Sequence, residues 1–279
     1  MTQPEPPIWR FLNTHHGNAF FNMAADEALV RSVASGAHPV IRVYGWQPPA
    51  LSFGYAQHIS REVDIQKVRT QNIDIVRRTT GGRAVLHFHE LTYSVVCAAN
   101  DPTMGGSIND AYRKISEGLM AGVRHLGANP SFESRRQTQP SPRGKELTAP
   151  CFTSTAQYEV ILQDRKLIGS AQQRIGNTLL QHGSLLLGPQ HKQILDLLPN
   201  DKPGLRKRFA RELDRHTISL SEALPKPIDF DPAATAIRKG FRDTFNIHLI
   251  DTDLSETEHT ETQHLIAEKY ATDDWNYKR

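Results

Sequence analysis

The adjacent glycines Gly81 and Gly82 stand between two arginines, Arg78 and Arg83. Residues 73–76 before them have the pattern of a strand end, and after them residues 91–96 alternate between two faces as a second strand does. Because glycine has no Cβ, such a pair can adopt positive φ and bring the backbone close to a ligand. The pattern therefore indicates a ligand-binding turn, and an ordinary Gly-Gly hairpin with solvated arginines is the alternative.

Two cysteines occur in the 279 residues, and they stand in different surroundings. Cys151 follows a polar segment, residues 133–150, whose prolines and charges predict a surface loop. Cys97 ends an apolar strand, so we predict that it is a core residue. A thiol at the exit of a loop could act as a nucleophile, although most cysteines are small buried hydrophobes.

Lys166 begins the second strand of a predicted three-stranded meander. The first strand covers residues 158–162, Asp164 forms a turn with Arg165, and the third strand covers residues 178–187. We expect the second strand, residues 166–174, to be interrupted at residues 169–171. From the pattern alone, Lys166 would be a solvated residue at the sheet edge.

His87 and His89 flank Phe88 and could bind a metal ion from one face of a strand. No further cluster of cysteine, histidine or carboxylate residues has a recognisable ligand spacing. The sequence therefore predicts no metal site.

Five motifs follow one another in the chain: Arg77-Arg78-x-x-Gly81-Gly82-Arg83-Ala84-Val85-Leu86-His87, Glu90-Leu91-Thr92-Tyr93-Ser94, Pro150-Cys151-Phe152-x-Ser154, Lys166-x-x-Gly169-Ser170-Ala171-Gln172 and Gln181-His182-Gly183-Ser184-Leu185-Leu186. Two more lie near the ends, residues 22–28 and residues 269–277. With these motifs the chain resembles the lipoate-protein ligase and octanoyltransferase family, which is related to biotin protein ligases. Within the family it is most similar to the LipM-type octanoyltransferases, and the resemblance covers nearly the whole chain.

The resemblance implies two catalytic residues. Cys151 would be the nucleophile, since thiolates attack thioesters well. Lys166 would lie near the acyl carbonyl, where its ammonium could stabilise the oxyanion and favour the Cys151 thiolate. Either His87 or His182 could act as general base for the incoming amine, and the sequence does not choose between them. The substrate-binding residues implied are Arg78, Thr79, Gly81, Gly82, Arg83, Ala84, His87, Gly169, Ser170, Ala171 and His182.

The reaction implied is transfer of an octanoyl group from octanoyl-acyl carrier protein, through a Cys151 thioester, to a lysine of a lipoyl-domain protein. Glycine cleavage H protein and 2-oxoacid dehydrogenase E2 subunits would be the acceptors, with no ATP or metal. One alternative is an ATP-dependent lipoate-protein ligase, which needs no cysteine and usually has glycine where Arg83 stands. The others are octanoyl transfer between lipoyl-domain proteins and a non-catalytic module that binds carrier domains.

The predicted fold class is α+β, with antiparallel meander strands and helices on one side. Ser107 and Asp110 form a capping-box pattern before a long amphipathic helix that ends near Gly127. The resemblance implies a mixed, split β-sheet flanked by helices, as in biotin and lipoate protein ligases and class II aminoacyl-tRNA synthetases. We expect one catalytic domain over residues 1–279, with a core at about residues 8–190 and a helical extension at about residues 190–279.

Composition excludes some partners and leaves others open. A net charge of +3 is too small to indicate nucleic-acid binding, and no run of eighteen apolar residues indicates a membrane span. The first twenty residues do not have the layout of a signal peptide, and the low cysteine content is typical of a cytoplasmic protein. Two basic clusters could attract acidic carrier domains: Arg135, Arg136, Arg143 and Lys145 in the loop, and Lys202, Arg206, Lys207, Arg208, Arg211 and Arg215 further on. The second could simply be a solvated helix face, and the loop is the better candidate because it leads directly into Cys151.

Overall fold

A computed structural model describes residues 5–133, 158–199 and 203–278 of the chain. Within these ranges the chain contains both strands and helices. The strands are β1 (Ile8–Gly17), β2 (Val40–Trp46), β3 (Ala50–Phe53), β4 (Asp74–Arg77), β5 (Val85–His87), β6 (Glu90–Ala98), β7 (Ser131–Phe132), β8 (Val160–Leu162), β9 (Arg165–Ile175), β10 (Thr178–Leu186) and β11 (His248–Asp251). The helices are α1 (Ala19–Ala34), α2 (Ile59–Glu62), α3 (Ile65–Thr70), α4 (Ile108–His125), α5 (Pro203–His216), α6 (Leu220–Ala223), α7 (Phe230–Phe245), α8 (Glu256–Leu265) and α9 (Asp273–Asn276).

The described strands form two sheets. The larger has eight strands in the order β11-β1-β2-β6-β10-β9-β8-β7, and the smaller has three in the order β4-β3-β5. In the larger sheet β1 runs parallel to both of its neighbours, β11 and β2. The other neighbouring strands, in the sheet order β2-β6-β10-β9-β8-β7, all pair antiparallel. This mixed, split sheet confirms the predicted α+β fold class.

Helices cover both faces of the larger sheet, so the prediction of helices on one side is wrong. In β6, Tyr93 and Val95 join the core under α4 and α7, whereas Val96 packs with Leu29 and Val30 of α1. The first helix is buried along nearly its whole length because it lies between the sheet and α8. It therefore has little of the two-faced pattern by which a surface helix is recognised.

The amphipathic helix was predicted correctly. Ser107 caps α4 with a capping box, in which the Asp110 backbone N–H donates to Ser107 Oγ at 3.1 Å. The Ser107 backbone N–H donates in return to the Asp110 carboxylate at 3.2 Å. Both bonds satisfy backbone N–H groups that a helix start would otherwise leave unpaired.

The region after residue 190 is not wholly helical. Strand β11 joins the larger sheet beside β1, and α7 packs against α4 in the main core. The proposed boundary near residue 190 stays a prediction. Of the helices in the described part of the chain, none is both long enough and apolar enough to cross a bilayer.

Candidate functional site

A cavity of about 440 Å³, open to solvent, lies between the two sheets on the α1 side of the larger one. Of the predicted substrate-binding residues, seven line it: Arg78, Gly82, His87, Gly169, Ser170, Ala171 and His182. The remaining lining residues were not predicted: Met23, Tyr44, Trp46, Ser52, Val85, Thr92, Gly183 and Ser184.

Arg78 organises the glycine loop, as we call residues 78–84 between β4 and β5. Its buried guanidinium donates to the carbonyl oxygens of Ser52 at 2.9 Å, Gly81 at 2.9 Å and Arg83 at 2.8 Å. The strands on either side of the loop, β4 and β5, pair with β3 and not with each other. The loop is therefore not a Gly-Gly hairpin, and Arg78 is not a solvated arginine.

Four of the predicted binding residues are neighbours in sequence of residues that line the cavity but do not line it themselves: Thr79, Gly81, Arg83 and Ala84. Thr79 is half-buried, and Gly81 is exposed. Ala84 packs into the core beneath the smaller sheet with Leu51 and Phe53. A role for these side chains in substrate binding stays a prediction, as does any role of Arg83 beyond the carbonyl that Arg78 holds.

The glycine loop packs closely against the strand that ends at residue 53. A Cβ on Gly54 would lie 2.1 Å from the carbonyl oxygen of Gly82, and Gly82 itself has a φ of +97°. A side chain at residue 54 would therefore displace the backbone that lines the cavity.

We expect Gly54→Ala to weaken acyl-substrate binding by about tenfold or more, because the added methyl group collides with backbone that cannot move aside cheaply. Gly81→Ala is the matched control, since no atom lies within 4 Å of its Cβ position. It should retain near-normal KM for an octanoyl thioester. Steady-state kinetics on both variants, with thermal unfolding to check folding, tests the expectation. Equal effects of the two substitutions would contradict it.

Residues Gly169, Ser170 and Ala171 lie in an unbroken strand, so the predicted interruption is wrong. They pair with residues 182–184 of β10 in regular register. A Cβ on Gly183 would lie 2.3 Å from the carbonyl oxygen of Gly169, and no side chain fits there. The small residues therefore keep the ladder intact while they leave room for a ligand beside the backbone.

His87 is buried at the cavity wall and stacks on Trp46, with ring centroids 4.0 Å apart. Its Nδ1 lies 2.7 Å from Glu90 Oε1, and its Nε2 lies 2.7 Å from Ser52 Oγ. Burial acts to raise the pKa of Glu90, but the His87 ring and two hydroxyl donors outweigh it, so the pKa is below its ordinary value. His89 follows the end of the strand, so the two histidines do not share one strand face.

His182 has a similar arrangement on the larger sheet. Its Nδ1 lies 3.1 Å from Asp26 Oδ2, and its Nε2 lies 2.7 Å from the hydroxyl of Thr80 in the glycine loop. Burial acts to raise the pKa of Asp26, but hydrogen bonding from His182 and the charge of Arg42, 2.8 Å away, hold it below its ordinary value.

The two histidines thus have equivalent environments. Asp26 and Glu90 are buried carboxylates with lowered pKa values, so each accepts a hydrogen bond from the Nδ1–H of its histidine. The other ring nitrogen, Nε2, lies against a hydroxyl in each case, that of Ser52 for His87 and that of Thr80 for His182. The role of either histidine as general base stays a prediction, and the geometry does not choose between them.

Lys166 is buried, with 2% of its side chain exposed, and its Nζ lies 2.6 Å from Glu159 Oε1. The alternative that it is a solvated edge residue is therefore wrong. It does not line the described part of the cavity, although Gly169 three residues further along the same strand does. Its position near an acyl carbonyl stays a prediction.

Cys151 lies outside the described residues, as do Arg135, Arg136, Arg143, Lys145 and Lys202. The described chain on either side of it is held by Glu133, whose N–H donates to the carbonyl of Glu159 at 2.9 Å. Strand β8 then pairs with β9, where Ile161 stands opposite Lys166. The chain thus leaves the described structure after β7 and re-enters it just before β8, the strand that lies between β7 and the strand of Lys166. Cys97 is buried in the core as predicted, and burial raises the pKa of its thiol well above the ordinary value.

Asp26 and Arg42 form the polar centre that the sequence analysis missed. Arg42 is fully buried and also donates to Asn22 Oδ1 at 3.0 Å. Asn22 and Asp26 are four residues apart, so both face the same side of an alanine-rich helix. That polar pair in residues 22–28 was the signal that would have located the network.

Comparisons with known proteins identify the same family that the sequence motifs indicated. A model of the lipoyl protein ligase A/B catalytic domain family matches residues 18–242. Octanoyltransferase LipM of Bacillus subtilis (strain 168) is 40% identical over 277 residues, covering 97% of this chain and 98% of that protein. Octanoyltransferase LipM of Staphylococcus aureus (strain NCTC 8325 / PS 47) is 36% identical over 277 residues, covering 97% of this chain and 99% of that protein.

Solved structures with the same fold are lipoate-protein ligases. The bi-partite lipoate protein ligase from Thermoplasma acidophilum, described with its E2 lipoyl domain, has a TM-score of 0.80 at 23% identity, covering 97% of this chain and 96% of that chain. A lipoate-protein ligase A bound with ATP has a TM-score of 0.75 at 24% identity, covering 98% of both chains. At these identities the similarity establishes the fold.

Proposed function

Because the chain belongs to the lipoyl protein ligase A/B catalytic domain family and is an octanoyltransferase of lipoate biosynthesis, we propose that it works through a thioester on Cys151. The donor is octanoyl-acyl carrier protein, and the acceptor is a lysine of a lipoyl-domain protein. The observation that carries the proposal is the cavity, where Met23, Trp46 and Val85 offer apolar surface beside the backbone of residues 169–171. Such a wall suits a flexible alkyl chain, which makes no directional contacts.

The proposed chemistry needs two steps. The Cys151 thiolate attacks the donor's carbonyl carbon, and the carrier's thiol leaves as the carbon–sulfur bond breaks. The lysine amine then attacks the acyl-enzyme, its proton passes to His87 or His182, and the Cys151 thiolate leaves. Exchange between thioesters is nearly isoenergetic, so the reaction requires neither ATP nor a metal ion.

Lipoyl-domain proteins are the acceptors of this reaction, and we propose glycine cleavage H protein and 2-oxoacid dehydrogenase E2 subunits among them. The T. acidophilum ligase of the same fold is described with an E2 lipoyl domain. A cytoplasmic location remains a prediction from the low cysteine content.

A donor comparison tests the proposal. The protein is incubated with a lipoyl domain and one of three donors: octanoyl-acyl carrier protein without ATP, octanoate with ATP and Mg²⁺, or an octanoylated H protein. We expect octanoylation of the domain, seen by intact mass, with the first donor. Transfer only with ATP would indicate a ligase, and transfer only from the H protein would indicate exchange between lipoyl domains.

Helix α5 offers a surface for the acidic carrier protein. We define its cationic face as the exposed side chains of Lys207, Arg208, Arg211 and Arg215. No carboxylate of the described residues forms an ion pair with these four side chains, whereas the acidic residues nearby are engaged: Asp214 with Lys192 at 2.9 Å and Glu212 with His216 at 3.2 Å. Beyond the helix, the N–H of Ile218 donates to the carbonyl of Lys166 at 3.0 Å, so the chain that leaves the C-terminal end of α5 lies beside the strand of Lys166.

Reversing Arg208 and Arg211 to Glu should raise KM for octanoyl-acyl carrier protein by about tenfold at low salt with little change in kcat, because such charges act mainly on association. The effect should shrink as ionic strength rises. A small octanoyl thioester should be used as before. Lys239→Glu, an exposed charge reversal on α7, is the control. An equal loss with both donors would contradict carrier docking on the cationic face.

A further inference from the structure

We propose that the C-terminal segment, residues 269–276, is a positioning element that holds the glycine loop of the acyl cavity. The sequence analysis singled out this stretch but found no role for it. The inference rests on the proposed function only for its kinetic readout. The segment is anchored on helix α1, it binds Arg77, and the neighbouring Arg78 lines the cavity.

The segment is anchored on helix α1. Glu27 Oε2 accepts hydrogen bonds from Lys269 Nζ and from the Tyr270 hydroxyl, both at 2.6 Å. Within the segment, Asn276 Nδ2 donates to the carbonyl of Tyr270 at 2.8 Å. Glu27, Tyr270 and Asn276 are all buried, so these bonds are shielded from competing water.

From this anchor the segment holds Arg77 by both its backbone and its side chain. The Arg77 N–H donates to Asn276 Oδ1 at 2.8 Å, and Trp275 Nε1 donates to the Arg77 carbonyl at 2.8 Å. The guanidinium, which is fully buried, donates to the carbonyls of Asn276 at 2.8 Å and Trp275 at 3.2 Å. The last strand residue before the glycine loop is thus fixed by the end of the chain.

The same guanidinium reaches the other side of the loop. Arg77 Nη1 donates to the carbonyls of Gly54 and Tyr55, each at 3.1 Å, and to that of Gln57 at 2.8 Å. Gly54 is the residue against which Gly82 packs. Arg77 therefore ties the C-terminal segment to the backbone that supports the loop.

Arg78 carries this restraint into the cavity. It follows Arg77 directly, lines the cavity and holds the carbonyls of Gly81 and Arg83. Gly81 and Gly82 are exposed, so the tip of the loop has no burial of its own to order it. The hydrogen bonds to Arg77 compensate for that, because they fix the position of the backbone from which Arg78 follows.

Hydrogen exchange measured by mass spectrometry tests the proposal without any need for activity. Asn276→Ala removes the acceptor of the Arg77 N–H, and we expect exchange in residues 78–84 to accelerate about tenfold, as loss of a buried acceptor gives. Residues 91–97 and 179–185 should keep their protection. Asn276→Asp retains the acceptor for the Arg77 N–H but loses the donor to the Tyr270 carbonyl, so it should restore the protection only in part. Asp274→Ala, exposed on the same helix, is the control and should change nothing.

The kinetic readout follows the same variants. With a small octanoyl thioester, Asn276→Ala should raise KM about tenfold while kcat changes little, because loop position affects acyl binding. Unchanged loop protection and KM in Asn276→Ala would overturn the proposal. So would a general loss of protection that includes residues 91–97, which would make the segment a support of the whole fold. If the wild-type protein transfers no octanoyl group, the proposed function fails, and the exchange result decides the role of the segment by itself.

Discussion

Replacing Cys151 with Ala should abolish the acyl-enzyme and lower octanoyl transfer by roughly 10⁴-fold or more, as removal of a covalent nucleophile does. Intact mass after incubation with octanoyl-acyl carrier protein should show a hydroxylamine-sensitive octanoyl adduct on the wild-type protein only. The reason is that no other group provides a nucleophile of comparable reactivity toward a thioester at neutral pH.

The second cysteine provides the control for this experiment. Cys97 is fully buried in the core, and burial raises the pKa of its thiol, so it is a poor nucleophile. Cys97→Ala should form the adduct normally if it folds. Survival of the adduct in Cys151→Ala would remove the thioester proposal.

Replacing Lys166 with Ala should slow octanoyl transfer by roughly 10²-fold or more if its ammonium stabilises the oxyanion. Lys166→Arg should rescue only partly, because the guanidinium is larger and directs its charge differently. The pH dependence of Cys151 alkylation by iodoacetamide provides a second measurement. Loss of the Lys166 charge should move that profile to higher pH, since a nearby cation favours the thiolate.

The buried pair with Glu159 complicates this test in a predictable way. Lys166→Ala removes the partner of a buried carboxylate 2.6 Å away, which destabilises a fold by about 3–5 kcal/mol. The double variant Lys166→Ala with Glu159→Gln should recover most of the thermal stability and none of the activity. Near-normal turnover in a folded Lys166→Ala variant would contradict the catalytic role.

Short-range patterns predicted much of the secondary structure. The alternation in residues 91–96 and the Ser107–Asp110 capping box each involve neighbours along the chain, and both are present. By contrast, the glycine loop could also be interpreted as a hairpin, because the sequence around a turn does not show which strands pair with each other. The partner of β4 is β3, with two helices between them in sequence.

Two features of the site could likewise not be predicted from the sequence pattern. Residues 22–30 of α1 are all buried, so the helix has no contrast between a buried and an exposed face there, and Asp26 was not distinguished from a structural residue. The strand through Gly169 and Ala171 was expected to break because glycine is unfavourable in strands. In the sheet, the regular hydrogen-bonded ladder with β10 holds residues 169–171 in place.

Through its resemblance to a family, the sequence by itself predicted the chemistry: a thiol at Cys151, a lysine at Lys166 and glycines beside an acyl site. It could do so because the motifs that carry the resemblance are short runs of residue types. Only the tertiary structure decided which contacts those residues make. Lys166 is buried against Glu159, and Arg77 is bound by Asn276 from 199 positions away. Contacts of that range depend on the path of the whole chain, since each requires many intervening residues to be packed before the two groups can meet.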